Sequence, residues 1–518
     1  MFAFLLLSAL VWGASQRVTV IGLSALLLAF EVLRLRNFRS VDNPMFWPLF
    51  ACGAWTVLTL IPLPIAWLEI VSPKAAELWI NCLSPWQQPG PTWAPLAIDP
   101  GAAWFEALKW FGYVFVSRLA ARVTQDTGFN RVLASVFGIG VILALVTLVQ
   151  AVIFLGTTAG VDYGLAAFTH NTLIVNPNNL AGFLNLGGAC GLGLVVSRRS
   201  PISPTMSALG VCLCFSTSVW TGSRAGVAAL VALLFVVGGY WVARIKRQAH
   251  TLTSRQLALG AVIGVGIPVI SFLGINPMLH RDLFSDDLSK LELLPRLAPA
   301  LRDFWLVGVG RGGFESISQL YMPSGQNVVF RYVENFVGSW LLEWGIPFGA
   351  ALTLLTFLVL RPHFLKLRLA PPAQAAFAGV VAVFVQNLAD LGLELFSLAA
   401  TTIAVISALL SSRSERTVVI SRPGVQKASF VAALCALLLS IMGSILTGPD
   451  AYVARERLSQ QLNGLGTRTQ TDKALLDHVR REIVKRPADP YPFIVASMAA
   501  ARSNQPILPW AAAALRNA

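Results

Sequence analysis

The residues best suited to chemistry are arginines, carboxylates and amides that lie between apolar runs. Residues 308–314 read Gly-Val-Gly-Arg-Gly-Gly-Phe and place Arg311 inside a glycine-rich turn. Successive backbone N–H groups in such a turn can form a nest for an anion, and a guanidinium adds charge in a planar fork that fits phosphate. No preceding strand and no following acidic residue support a dinucleotide site. The turn therefore predicts diphosphate binding through Arg311 and Gly310.

A second arginine, Arg224, lies in the short turn 221–226 between two apolar runs. A guanidinium at a membrane surface is costly without a partner. Two explanations remain open, because the side chain can reach toward lipid headgroups or can bind a diphosphate. The segment 276–335 carries six Lys and Arg residues, and its Lys290 is a further candidate ligand of the diphosphate. An anionic ligand would explain this concentration of positive charge.

Two glutamates flank the start of the apolar run 336–360. A carboxylate at a membrane boundary can act as a general base or can pair with an arginine. We predict that Glu334 is the catalytic base, with Arg224 as the second catalytic residue. Glu343 is predicted to form a structural ion pair with an arginine. Asp390, in the turn 386–390, is likewise predicted to pair with Arg224 or Arg311.

Asparagines cluster in the segment Val175-Asn176-Pro177-Asn178-Asn179 at the start of another apolar run. An Asn-Pro-Asn segment forms a turn and a helix cap, whereas amide side chains can also hold sugar hydroxyls. Both interpretations stay open, and Asn335 joins this set of candidate glycan ligands. His170 is interpreted as a loop imidazole rather than a catalyst. The six cysteines form no CxxC motif or Cys/His cluster, so we expect neither a metal nor a cofactor.

The composition decides which elements must position these residues. Hydrophobic residues make up 55% of the 518 and charged residues 12%, against about 25% charged in ordinary soluble domains. This excludes a water-soluble globular protein and predicts an all-α polytopic membrane protein with about 12–14 transmembrane helices. The predicted runs are 2–14, 18–33, 44–62, 104–117, 132–155, 179–197, 205–220, 225–243, 256–275, 336–360, 373–388, 394–411 and 428–447.

The positive charge indicates the orientation of the chain. Lys and Arg exceed Asp and Glu by 14, and 19 of them lie in six short segments between apolar runs, which are typical of cytoplasmic loops. No basic stripe with interleaved aromatics is present, so we expect no nucleic-acid partner. The amino terminus is then cytoplasmic, and the loops 63–103 and 276–335 face outward with the tail 448–518. The basic segments are 34–43, 117–131, 198–205, 244–255, 361–372 and 412–427.

The sequence predicts two domains, a transmembrane domain at 1–447 and a small helical tail at 448–518. Leu475–Lys485 and Pro492–Arg502 resemble tetratricopeptide units, but the tail holds two such pairs at most. Docking of envelope assembly proteins and a solvated cap are both open for the tail.

The order of these motifs resembles the O-antigen ligase and Wzy-type polymerase family of bacterial envelope glycan transferases, over most of residues 40–415. Ile61-Pro62-Leu63-Pro64, Leu83-Ser84-Pro85, Trp93-Ala94-Pro95-Leu96 and Asp99-Pro100 are similar to that family's first outer loop. Segments 175–183, 221–226 and 308–314 are similar to its Asn-Pro-Asn segment, its arginine turn and its glycine loop.

The resemblance implies a metal-independent, inverting glycosyltransferase in the bacterial inner membrane, acting on its outer, periplasmic side. The donor would be an undecaprenyl-diphosphate-linked glycan, and the acceptor a hydroxyl of a glycan, lipid or protein, as in lipopolysaccharide O-antigen or exopolysaccharide synthesis. Arg224 matches the family's arginine after its serine, and Lys290 stands near a second one. Glu334 and Gln386 stand where the family often has histidines.

Two other functions remain open from the residues. A transporter or flippase for a lipid-linked glycan would share a basic outer cavity, although the chain shows no internal repeat of the kind that transporters carry. A scaffold that recruits partners through residues 448–518 is the third class. Transfer is the favoured interpretation of the three.

Overall fold

The computed structural model describes residues 1–11, 13, 15–41, 43–157, 174, 176–248, 295–322, 330–365, 370–412, 423–464 and 473–517. Helices α1 to α7 are Phe2–Leu10, Arg17–Leu33, Phe46–Leu58, Ile65–Val71, Pro73–Asn81, Pro100–Thr127 and Phe129–Thr157. Helices α8 to α14 are Pro177–Val196, Pro204–Trp220, Arg224–Gln248, Ala298–Asp303, Phe314–Tyr321, Phe336–Trp344 and Ile346–Leu365. Helices α15 to α21 are Pro371–Gln386, Phe396–Ser411, Pro423–Leu446, Ala451–Gly464, Lys473–Lys485, Tyr491–Arg502 and Leu508–Arg516.

The expectation of an all-α protein is confirmed, and the described residues add one antiparallel ribbon of two-residue strands, β1 (Leu63–Pro64) and β2 (Trp93–Ala94). Helices occupy twelve of the thirteen predicted apolar runs, and the run 256–275 lies outside the described residues. Of the helices in the described part of the chain, three are long and apolar enough to cross a membrane. They lie in α7 over Phe129–Ile153, in α8 over Pro177–Val196, and in the segment Gly424–Gly464, whose apolar part is α17. The larger number of spans stays a prediction.

The predicted run 336–360 is wrong in one respect, because it forms two helices that break at Gly345. This glycine adopts a φ of +82°, and a Cβ there would lie 2.4 Å from the carbonyl oxygen of Leu306. The next amide, of Ile346, donates to the carbonyl of Trp305 at 2.7 Å. The close approach of a second backbone segment therefore separates α13 from α14 at this glycine.

The chain divides into two compact units. The first unit comprises Met1–Leu49, Gly112–Leu288 and Phe357–Leu434. Its centre is α8, which packs against α7, α9 and α15. In the most apolar stretch of α8, 94% of the residues are buried. Glycine makes this packing close, since a Cβ at Gly187 would lie 2.9 Å from the Cα of Gly140. Small residues at such crossings are typical of helix contacts in apolar surroundings.

The second unit comprises Phe50–Phe111, Ser289–Thr356 and Cys435–Ala518. The segment predicted as the outer loop 63–103 folds here into the ribbon, α4 and α5. The indole of Trp79 donates to the carbonyl of Pro95 at 3.1 Å and fixes α5 beside β2. Buried side chains of this segment share one core with those of α11 to α13. Members of this core include Leu68, Trp79, Phe304, Phe314 and Leu342.

The carboxyl-terminal tail is helical and forms a further core of the second unit. Leu458, Val479 and Phe493 from α18 to α20 pack in one buried cluster with Cys82 and Leu83. The tail thus shares its core with the residues that follow α5. The two compact units group the chain differently from the predicted division at 447/448, because Cys435–Ala518 belongs to the second unit together with two earlier segments. The predicted division into a transmembrane domain and a tail stays a prediction.

Candidate functional site

The glycine-rich turn 308–314 owes its glycines to close backbone approach. Gly308, Gly310 and Gly312 have φ values of +75°, +85° and +78°, in the left-handed region that favours glycine. A Cβ on Gly310 would lie 2.6 Å from the Cβ of Ala97. The amides of Gly308, Val309 and Gly313 donate to backbone carbonyls. The predicted contact of Gly310 with a diphosphate stays a prediction, and three amides of the turn already serve the fold.

Arg311 lies at the centre of a buried ion cluster in the second unit. It is 3% exposed, and its Nη1 donates to Ser339 Oγ at 2.7 Å and to the carboxylate of Glu343. Its Nε lies 3.5 Å from Glu106 Oε2, and Lys109 Nζ lies 2.5 Å from the other oxygen of Glu106. The cluster holds two cations and two carboxylates, so its formal charges cancel.

The same guanidinium also lies over the ring of Trp344, with its carbon 5.1 Å from the ring centroid. The planar fork of Arg311 is therefore occupied by carboxylates, a hydroxyl and an aromatic face. Glu343 forms the kind of ion pair that the sequence indicated for it. Diphosphate binding by Arg311 stays a prediction, and it would require the diphosphate to replace a carboxylate.

Glu106 and Lys109 are members of the cluster that the sequence interpretation missed. They lie three residues apart inside the apolar run 104–117, which is the spacing of neighbours on one helix face. Charged residues inside an apolar run are costly unless they are paired. This signal was present in the sequence and pointed to a buried pair.

Glu334 has an unusual backbone. Its φ is +56°, and among the described residues only Gln87 and Asn504 are other non-glycine residues in this region. A non-glycine residue held there costs free energy, and such positions concentrate at functional sites. The side chain is half-buried. Glu334 therefore combines a reactive group with a conformation that the surrounding fold must impose.

The residue after Glu334 begins α13. Asn335 caps this helix, since its Oδ1 accepts from the amide of Gly338 at 2.8 Å. Asn335, Ser339 and Glu343 are spaced by four residues, so they follow one face of the helix. Arg311 binds the last two of them. The candidate base thus lies at the start of the helix that the buried ion cluster anchors.

The first unit holds the arginine turn in a polar part of its helical core. Ser223 Oγ accepts from the amide of Gly226 at 2.9 Å. The amide of Asn185 donates to the carbonyl of Gly226 at 2.9 Å and accepts from Ser218 at 2.8 Å. Arg224 is half-buried at the first residue of α10. Asn185 is a positioning residue of this turn that the sequence interpretation did not select.

The asparagine segment and Asp390 meet in the same unit. Asn176 caps α8 by accepting from the amide of Asn178 at 2.9 Å, which is the structural role that the sequence left open for it. Gln386 Nε2 donates to the carbonyl of Asn178 at 2.5 Å and to Asp390 Oδ2 at 2.9 Å. Asn179 is 2% exposed. A buried polar cluster therefore connects the N-terminus of α8 to the turn after α15.

Asp390 is 1% exposed, and its second oxygen accepts from the amide of Leu391 at 2.8 Å. Its carboxylate thus accepts from an amide side chain and from a backbone N–H. Its predicted ion pair with Arg224 or Arg311 stays a prediction. Lys290 and His170 lie outside the described residues.

The described part of the chain contains no group of three His, Cys, Asp or Glu side chains that could hold a metal ion. Comparison of the chain with protein-family models and with curated proteins gives no match. The resemblance to the ligase and polymerase family stays a prediction from the motifs.

Proposed function

We propose that the protein is a membrane glycosyltransferase that moves a glycan from undecaprenyl diphosphate to an acceptor hydroxyl, on the outer side of the bacterial inner membrane. The observation that carries the proposal is the left-handed backbone of Glu334 at the cap of α13. A non-glycine residue in this conformation costs free energy that the surrounding fold must offset, and such positions concentrate at functional sites, which supports the assignment of Glu334 as the base. The product would be an O-antigen or exopolysaccharide chain.

The proposed reaction has two requirements, which fall to different residues. The bond between the anomeric carbon and the diphosphate oxygen breaks, so negative charge on the leaving group must be neutralised. Arg224 and Lys290 take this task in the proposal. The acceptor oxygen forms the new bond from the opposite face of the sugar and loses its proton to Glu334. The sugar hydroxyls are assigned to the side-chain amides of Asn176 and Asn178, because Asn179 is buried and Asn335 caps α13.

Arg311 receives a different task from the one the sequence indicated. Its guanidinium is buried against Glu343 and Glu106, and its hydrogen bond to Ser339 fixes the middle of α13. We therefore assign Arg311 to the positioning of the helix that Glu334 precedes. The acceptor stays open between a glycan, a lipid and a protein hydroxyl.

The test is the release of undecaprenyl diphosphate from a lipid-diphosphate-linked oligosaccharide by the protein purified in detergent. Glu334→Gln and Arg224→Ala should each lower the rate by about 100-fold or more, since a general base and a charge-stabilising donor each contribute on that order. Glu69→Gln and Arg198→Ala are matched controls, because both side chains are exposed. Their rates should equal that of the wild type.

Undiminished release by Glu334→Gln would remove the glutamate from the chemistry. If no variant and no acceptor gives release, while lipid-linked glycan crosses liposomes that contain the protein, a transporter replaces the transferase. Loss of glycan assembly in cells on deletion of 448–518, with no lipid release by the purified full-length protein, would favour the scaffold.

A further inference from the structure

The tail contains a polar cleft between α18 and α19. Its volume is about 580 Å³, which is within the range of small-molecule sites. Both helices contribute side chains with hydrogen-bonding or charged ends to its walls. These are Arg457, Gln460, Gln461, His478, Arg481, Glu482 and Lys485.

The cleft carries an excess of positive charge. Arg457 and Arg481 are exposed and make no hydrogen bond or ion pair with any part of the chain that the structure describes. Lys485 lies 2.9 Å from Glu482, but the other oxygen of Glu482 already accepts from buried Arg486 at 2.6 Å. The acidic charge is therefore shared with a cation outside the cleft.

The cations converge on His478. Burial lowers the pKa of this imidazole, Glu482 opposes the shift, and Arg481, Lys485 and Arg457 lower it further. The Nδ1 of His478 lies 2.7 Å from Gln461 Oε1. The walls thus offer hydrogen-bonding amides beside the positive charges, which is the mixture that a sugar with an acidic substituent requires.

We propose that this cleft binds an acidic glycan, with the carboxylate or phosphate groups of the sugar chain at Arg457 and Arg481 and its hydroxyls at the two glutamines. The inference rests on the proposed function, since a glycan chain is what the transferase would handle. The cleft is concave, whereas a bilayer would meet a flat or convex basic surface. Among the residues that the structure describes, the apolar members of its wall are Pro449 and Ala454, which offer little to an apolar peptide.

The experiment measures binding of oligogalacturonate hexamer to the full-length protein in a nonionic detergent, with maltohexaose as the neutral probe. The acidic hexamer should bind, the neutral one should bind at least tenfold more weakly, and added salt should weaken the acidic interaction. The double variant Arg457→Gln/Arg481→Gln should lose about tenfold in affinity, as expected for two exposed charge pairs. The lysine double variant Arg457→Lys/Arg481→Lys should retain most of it.

Lys473→Gln is the matched control, because this lysine is exposed on the same α19 and lies outside the cleft. Its affinity should equal that of the wild type. All variants should keep the wild-type unfolding midpoint, since both arginines are exposed. The undecaprenyl diphosphate release assay is run in parallel with Glu334→Gln, which should retain acidic-glycan binding if the cleft acts independently of the chemistry.

Two results would overturn the inference. They are equal binding of the acidic and neutral hexamers, and unchanged affinity in the double glutamine variant. Inorganic phosphate should compete only weakly, because it lacks the sugar hydroxyls. If the protein releases no undecaprenyl diphosphate but still binds the acidic hexamer, the proposed function is overturned and the proposal for this cleft is unaffected.

Discussion

Glu334 joins a reactive carboxylate to a backbone conformation that favours glycine. Because its backbone is strained at φ +56°, one substitution should change the free energy of unfolding and the rate of lipid release in opposite directions. Glu334→Gly should raise stability by about 1 kcal/mol, because the left-handed region costs a non-glycine residue roughly that much. The same variant should abolish release of undecaprenyl diphosphate. Thermal unfolding in detergent and the release assay measure the two effects.

Gln87→Gly is the matched control at the residue scale, since Gln87 is exposed at φ +52°. It should show a similar gain in stability and an unchanged rate. A fall in stability for Glu334→Gly would mean that the glutamate side chain stabilises its own conformation, and the strain argument would then fail.

Helix α13 depends on the buried ion cluster, and this dependence is testable at the scale of one element. Arg311→Met should lower the free energy of unfolding by about 3–5 kcal/mol, because it leaves the carboxylates of Glu343 and Glu106 buried with less compensation. Adding Glu343→Gln should restore part of the loss. The measurement is the unfolding midpoint of the single and double variants.

Arg302→Met is the control for that series. Its guanidinium is 82% exposed and lies 3.6 Å from Asp303, so its removal should cost at most about 1 kcal/mol. An Arg311→Met protein as stable as the wild type would show that the cluster does not hold α13. An additive double variant would show that Arg311 and Glu343 contribute independently.

The second unit is assembled from three distant segments of the chain, and Arg486 links two of them. It is 2% exposed, and it donates to Asp99 at 2.9 Å, to Glu482 at 2.6 Å and to the carbonyl of Pro449 at 2.7 Å. Arg486 thus joins the tail to the buried interior of the unit through Asp99.

Arg486→Met should therefore unfold the second unit at a lower temperature, with a loss of about 3–5 kcal/mol as two buried carboxylates lose their partner. Limited proteolysis should then cleave within 448–518 sooner than in the wild type. Arg516→Met, at an exposed arginine that donates to Ser84, should leave the cleavage rate unchanged. Equal cleavage of the Arg486 variant and the wild type would contradict a structural role for the link.

The sequence by itself determined the helices and several of their ends. Apolar runs, proline at the first positions of α8, α9 and α15, and the cap Asn176 are local signals, and the structure has helices at these places. Asn335, which the sequence analysis assigned to a glycan, caps α13 by the same kind of local contact. Their causes act within a few residues, so a single chain segment is enough to predict them. The charged pair inside α6 was equally local, although its meaning was missed.

Only the tertiary structure decided which of the selected side chains meet. Arg311 binds Glu106, which lies 205 residues earlier in the chain, and Gln386 binds Asn178 across 208 residues. The break at Gly345 and the left-handed backbone of Glu334 likewise depend on segments that pack against them. Such contacts depend on how whole helices pack, because charge pairing and close approach are decided by distance in space and leave no periodic pattern in the sequence.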